Sequence, residues 1–198
     1  MSAAILPALP AADSLRRKRF TRSEVDRMQD HGFFDEQRCE FIDGELIDVT
    51  GMTPAHAYAI RETWAYLAKA FDLRRVRIRC PFEAASEDRD RNLPEPDLAI
   101  VAQDREEYGK RHPRGDELLL IVEVADSSLR QDLMTKRTLY ARASVPEYWV
   151  LDVSLRRLIV HRNPVNGDYT STLLVTEHES IACLSRSDSP VAVRDLLS

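Results

Sequence analysis

The sequence predicts an α/β fold, a mixed β-sheet flanked by helices, and three observations carry that expectation. Leu98 to Ala102 and Leu118 to Val124 are apolar, β-branched-rich runs of strand length without polar alternation. That is the pattern of central strands buried on both faces. From Pro54 to Phe71, Ala57, Ile60, Trp64, Leu67, Ala68 and Phe71 recur at three- and four-residue spacing, one apolar stripe of an amphipathic helix. A second helical pattern, Ser127 to Ala143, leads into another strand-like run, Glu147 to Val153. Helices and strands therefore alternate, as they do when helices cover the faces of one sheet.

The other elements follow in chain order. Thr21 and Glu24 make a Thr-x-x-Glu capping box, opening a short helix through Val25 and Met28 that Gly32 closes. Glu40 to Val49 holds two short β-rich runs around Asp43-Gly44, a strong hairpin signal. Arg75 to Cys80 alternates strictly, so Val76, Ile78 and Cys80 share one face and Arg75, Arg77 and Arg79 the other. Such an arginine row either tracks phosphates or is an ordinary solvated face. Glu83 to Asn92 is polar and loop-like; Gln103 to Asp116, with Pro113 and Gly115, is mostly loop with room for a helical turn. Leu155 to His161 and Tyr169 to Thr176 suggest a terminal hairpin with Asn166-Gly167 at its turn, and Val191 to Leu197 closes as a short helix or strand.

The chain has 198 residues, 43% hydrophobic and 31% charged, a globular balance with enough length for a real core. No linker or repeat divides it, so residues 17–198 read as one domain behind a loose arm at residues 1–16. No apolar run approaches the roughly 20 residues of a membrane span. The basic cluster Arg16 to Arg19 follows the small apolar start instead of preceding it, unlike a secretory signal, so a soluble cytoplasmic protein is expected. Cys39, Cys80 and Cys183 are scattered and odd in number, which argues against a disulfide framework or a zinc site and for buried free thiols. The net charge of −5 counts against avid nonspecific binding to nucleic acid, although acidic metal ligands would contribute to that total.

Chemistry concentrates between Pro96 and Trp149. Glu123 interrupts the apolar run Leu118 to Val124, where an unpaired carboxylate costs several kcal/mol or takes up a proton. A divalent cation is the natural remedy, with Asp97 at the mouth of the neighbouring strand as second ligand and the Val124 carbonyl as a third. The competing reading is a buried salt bridge to an arginine; for Asp97 it is a simple turn residue. On the following helix, with Ser127-Ser128 available as N-cap, Leu129, Leu133 and Tyr140 mark the inner stripe. Lys136 lies on that stripe, aimed at the carboxylate pair unless it snorkels to the helix edge. Asp132, four residues earlier, can steer it as an ion-pair partner.

Pro96-Asp97, Glu123-Val124-Ala125, Asp132 to Lys136, Tyr140 and Val145 to Asp152, in that order, resemble the Uma-type restriction endonuclease family of the PD-(D/E)XK nuclease superfamily. Glu40 to Glu45 and His56 at a helix start match as well, so the resemblance spans roughly Phe20 to Val175. It implies a restriction-endonuclease-like core and metal-dependent hydrolysis of DNA phosphodiester bonds. Asp97, Glu123 and Lys136 would be the catalytic set, and magnesium, or manganese in its place, would be held by Asp97, Glu123 and Val124. Glu40, His56 and Asp132 would be accessory. Ala125 stands where the superfamily signature has a lysine, and Lys136 matches the family's helical substitute. DNA is the expected partner, and cutting both strands of a duplex suggests a homodimer. Two other readings remain: a catalytically silent nuclease fold acting as a nucleic-acid-binding or assembly module, and an unrelated α/β protein whose Glu123 is merely salt-bridged.

Overall fold

The computed structural model describes residues 18–49 and 51–197; the expected arm at residues 1–16 lies outside them. Helix α1 (Arg22–Asp30), the hairpin β1 (Cys39–Ile42) and β2 (Glu45–Asp48), and helix α2 (Pro54–Ala70) come first. Six strands follow: β3 (Val76–Ile78), β4 (Leu98–Val101), β5 (Leu118–Ala125), β6 (Glu147–Asp152), β7 (Arg157–Val165) and β8 (Asp168–Thr176). They form one mixed sheet in chain order, antiparallel throughout except that β5 and β6 run parallel. A parallel pair needs a crossover. Here it consists of α3 (Leu129–Gln131), a π-helical stretch (Asp132–Lys136) and α4 (Arg137–Arg142). The short pair β9 (Ser180–Ile181) and β10 (Val191–Ala192) completes the strands, and Val193–Leu196 coils into a single turn.

The uninterrupted apolar strands are explained by cover on both faces. Leu98, Ile100, Leu120, Val122 and Val124 pack on one side with Ala59 and Leu67 of α2. Ala99, Val101, Ile121 and Ala125 pack on the other with Leu139 and Tyr140 of α4. A side-chain period of two therefore aims Asp97 and Glu123 at the face covered by the crossover helix. The local signals hold at both ends of the chain. Thr21 and Glu24 form the reciprocal capping box, and Asp43 and Gly44 take positive φ of 50° and 76° at the hairpin turn. Asn166 and Gly167 do the same between β7 and β8.

Four expectations need correction. The Ser127 to Ala143 helix is not regular: it widens into the π stretch, where Arg137 N–H donates to the Asp132 carbonyl five residues back. Ser128 makes no capping hydrogen bond to the backbone; its hydroxyl donates to Asp132 Oδ2 at 2.6 Å, a stronger, charged acceptor. The arginine row is also broken. Strand β3 stops at Ile78, which is 46% exposed, and Arg79 turns away with φ of 48°. Cys183 is buried, whereas Cys39 and Cys80 are only partly so; all three are free thiols. Among the described residues, no helix is long and apolar enough to cross a membrane.

Candidate active site

The sheet register brings the acids together. Asp97 lies one step before the Leu98–Val122 pairing of β4 with β5, beside the C-terminal part of β5. Its Oδ2 accepts the Val124 N–H at 2.9 Å, and its own N–H points at Glu123 Oε2, 3.4 Å away. Glu123, only 4% exposed, has its other oxygen fully engaged: Oε1 accepts from Tyr140 Oη at 2.6 Å and Lys136 Nζ at 3.0 Å. Oε2 is thus left on the Asp97 side.

Lys136 is the hub of the cluster. Besides Glu123, its Nζ lies 2.9 Å from Glu40 Oε2 and 3.7 Å from Asp132 Oδ1. Glu40 arrives from β1, and its second oxygen accepts the Glu95 N–H at 3.0 Å. The π stretch explains how one helix supplies Asp132, Lys136 and Tyr140 to a single point. A wider turn needs more residues per revolution, which keeps side chains four apart close to one line; such bulges recur at functional sites. Sequence reasoning placed Lys136 and Tyr140 on the inner stripe. It counted Tyr140 in the stripe and in the family pattern but gave it no role in the site, although a hydroxyl one turn after an inward lysine was the available signal.

Charge is out of balance here. Among the described residues, Glu40, Asp97, Glu123 and Asp132 face two cations, Lys136 and Arg79. Burial pushes the Glu123 carboxyl well above the ordinary carboxylate range; Lys136 pulls it back only partly, and Asp132, Asp97 and Glu40 push it further. Burial likewise raises Glu40 and Asp132 against the pull of Lys136. Lys136 is raised: burial opposes its charge, but three carboxylates outweigh burial. Asp97 differs, for although burial raises it, the His56 imidazole, the Val124 N–H and Arg79 hold it below the usual value.

An open cleft of about 860 Å³, its mouth included, reaches this cluster and is lined by Glu40, His56, Arg79, Asp97, Glu123 and Lys136. Asp132 sits behind Lys136, 1% exposed. His56, in the first turn of α2, places Nε2 3.6 Å from Asp97 Oδ2. Among the described residues, no three or more His, Cys, Asp and Glu side chains converge into a cage for a metal ion. What the site offers a hard divalent cation is an open pair, Asp97 and Glu123 on adjacent strands, with surplus negative charge around it. Magnesium sites commonly combine one or two carboxylates with water, so the donor set fits.

Comparison with known protein families matches the family model described as "Uma2: Putative restriction endonuclease" over residues 22–185. The chain belongs to the Uma2 family. No curated protein matches it. Among solved structures, the Uma2 chain is similar to a protein described as "a putative nuclease belonging to DUF820" from Anabaena variabilis. The TM-score is 0.64 at 16% identity, covering 81% of this chain and 90% of the other. At that identity the likeness shows a shared fold, a mixed sheet with flanking helices. In this Uma2 chain Ala125 is buried in the core, and the amine that reaches Glu123 comes instead from Lys136.

Proposed function

We propose that the protein is a metal-dependent endonuclease that hydrolyses DNA phosphodiester bonds. One observation supports this above the others: Glu40, Asp97 and Glu123 line an open cleft with Asp132 behind them, and among the described residues too few cations face them to balance the charge. A buried carboxylate left without a partner is costly. The family supports a nuclease, and the chemistry of the cluster supports a divalent cation, magnesium or manganese, on Asp97, Glu123 and the Val124 carbonyl. Such a cation supplies charge stabilisation at phosphorus and makes a water molecule more acidic.

The chain's own residues do the rest. Tyr140 and Lys136 hold Glu123 Oε1, which fixes the orientation of Oε2 towards Asp97. The Val124 N–H fixes Asp97 in turn. Glu40 and Asp132 anchor the Lys136 ammonium, and His56 stands at the cleft wall beside Asp97. Cleavage of both duplex strands calls for two copies related by a two-fold axis, a homodimer measurable by light scattering. A cytoplasmic site of action goes with a DNA substrate.

A second reading, a nuclease fold that binds nucleic acid without turnover, draws on the same hub, because three carboxylates already occupy Lys136. One experiment separates them: plasmid and single-stranded DNA are incubated with magnesium and wild type, Asp97→Ala or Lys136→Ala protein. Nicking by wild type that disappears in both variants supports the endonuclease. DNA retained but uncut by wild type supports the second reading, and equal cutting by all three proteins rules this site out.

A further inference from the structure

We propose that Arg79 is the phosphate clamp of this site, binding the nucleic-acid backbone directly, whereas Lys136 is a positioning residue that holds Glu123. This rests on the nuclease reading and names the group that meets the substrate.

The case begins with the two cations of the cluster. Lys136 faces three carboxylates at 2.9, 3.0 and 3.7 Å, and its side chain is 7% exposed. An ammonium has three N–H donors, so an incoming phosphate would have to break an ion pair to reach it. Arg79 is held far more loosely. Among the described residues its guanidinium makes a single polar contact, Nη2 to Asp97 Oδ1 at 3.3 Å, and its side chain is 21% exposed. Most of its five donors therefore remain available on the cleft wall. A planar fork suits the tetrahedral oxygens of a phosphate better than a point charge does.

The backbone supplies a separate argument. Arg79 has φ of 48°, a left-handed conformation that costs a residue with a Cβ free energy. It is tied there by its N–H, which donates to the Asp97 carbonyl at 3.0 Å. Arg77 stands opposite Ala99 in the pairing of β3 with β4, so Arg79, two residues on, falls beside Asp97, which its guanidinium contacts. Strained backbone of this kind concentrates where a side chain must be aimed.

His56 fits the same substrate. Its Nε2 is buried without a hydrogen-bond partner among the described residues, 3.6 Å from the other Asp97 oxygen. Arg79 and His56 thus flank Asp97, and a phosphate bound beside that carboxylate would find a donor on each side.

The test measures binding of a fluorescein-labelled DNA duplex by anisotropy, in calcium to suppress cleavage. Wild type is compared with Arg79→Ala, Arg79→Lys, Arg79→Gly and, as a distant control, Arg194→Ala. Manganese affinity of the DNA-free proteins is measured in parallel by calorimetry. Arg79→Ala is expected to weaken DNA binding about ten- to a hundredfold, the loss typical of a charge-assisted hydrogen bond. Arg79→Lys should recover part of it, and Arg194→Ala should match wild type. Manganese affinity of Arg79→Ala should be equal or tighter, since a competing cation has left Asp97. Arg79→Gly guards against misfolding: glycine favours positive φ, so it should melt no lower than Arg79→Ala yet bind DNA as weakly. Wild-type DNA binding by Arg79→Ala, or equal losses of DNA and manganese affinity, overturns the clamp alone. Wild type that binds manganese but no nucleic acid overturns the nuclease reading and the clamp with it.

Discussion

Two glutamates bracket the same strand and live in opposite surroundings. Glu117 immediately precedes β5 and is embraced by cations: Arg111 donates to both of its oxygens at 2.7 and 2.8 Å, and Arg114 N–H adds a third bond at 2.9 Å. Its carboxyl is held down to about 2, chiefly by Arg111 against the opposing effect of burial. Glu123, near the other end of β5, shares one lysine with Glu40 and Asp132 and is pushed up instead. Glu147, fully buried on β6, is likewise surrounded by donors: Arg162, Trp149 Nε1 and the Leu184 N–H. Acids that serve the fold have donors to spare. The acids of the cleft compete for too few, and the proposed divalent cation would relieve that competition.

The sharpest way to break this contrast is to remove the hub. Lys136→Met should destabilise the metal-free protein by about 3–5 kcal/mol in urea melts, because it strands buried carboxylates without their cation. Manganese or mild acid should restore part of that loss. A variant as stable as wild type would mean that the acids are not mutually strained.

Next in size comes an exchange made at both glutamates. Glu117→Gln should cost about 1.5–3 kcal/mol, the scale of a charged hydrogen bond to Arg111, and leave DNA cleavage intact. Glu123→Gln should leave the metal-free protein equally or more stable, since it removes surplus charge, and abolish cleavage. Parallel stability losses in the two variants would erase the distinction between the two ends of β5.

Acid–base behaviour carries the same contrast with opposite signs. Glu117 lies below its ordinary 4.5, so its stabilisation is present above that pH and fades as pH falls towards 2. Glu123 and Glu40 lie above 4.5, and Asp132 lies above 3.8. Folding therefore favours their protonated forms, and their stabilisation is lost as pH rises beyond those values. Metal-free protein should melt highest in mild acid and lower at neutrality, and manganese should flatten that decline. A metal-free melting temperature that rises steadily from pH 5 to 7 would contradict the sign.

The smallest effect is expected of Tyr140→Phe, which loses the 2.6 Å bond to Glu123 Oε1. About 1 kcal/mol of stability should go, with a drop in manganese affinity that the conservative shape change alone does not explain. Unchanged manganese affinity would reduce Tyr140 to packing.

Much of this was legible in the sequence because it depends on local rules. Apolar run length exposed β4 and β5, the three- and four-residue stripe exposed α2, and Asp-Gly and Asn-Gly exposed two hairpin turns. The lone acid in β5 and the lysine on an apolar stripe stood out because each broke a pattern that burial enforces. What stayed hidden depends on tertiary partners. Glu40 joins the hub from a separate hairpin, and no spacing rule connects it to Lys136. The π stretch arises from where Asp132 and Lys136 must point, not from any helix-breaking residue. Arg79 looked like a member of an exposed row because only its pairing with Asp97 reveals the backbone reversal. Ser128 looked like a cap because the nearby carboxylate that captures its hydroxyl belongs to the same cluster.

The most direct measurement is a calorimetric titration of the metal-free protein with manganese near neutral pH, repeated in buffers of different ionisation enthalpy. One ion should bind per chain with release of protons from the acid cluster, and Asp97→Ala should abolish it while Glu117→Gln leaves it unchanged. No binding at millimolar manganese, or binding indifferent to Asp97, would show that the crowded carboxylates hold no metal.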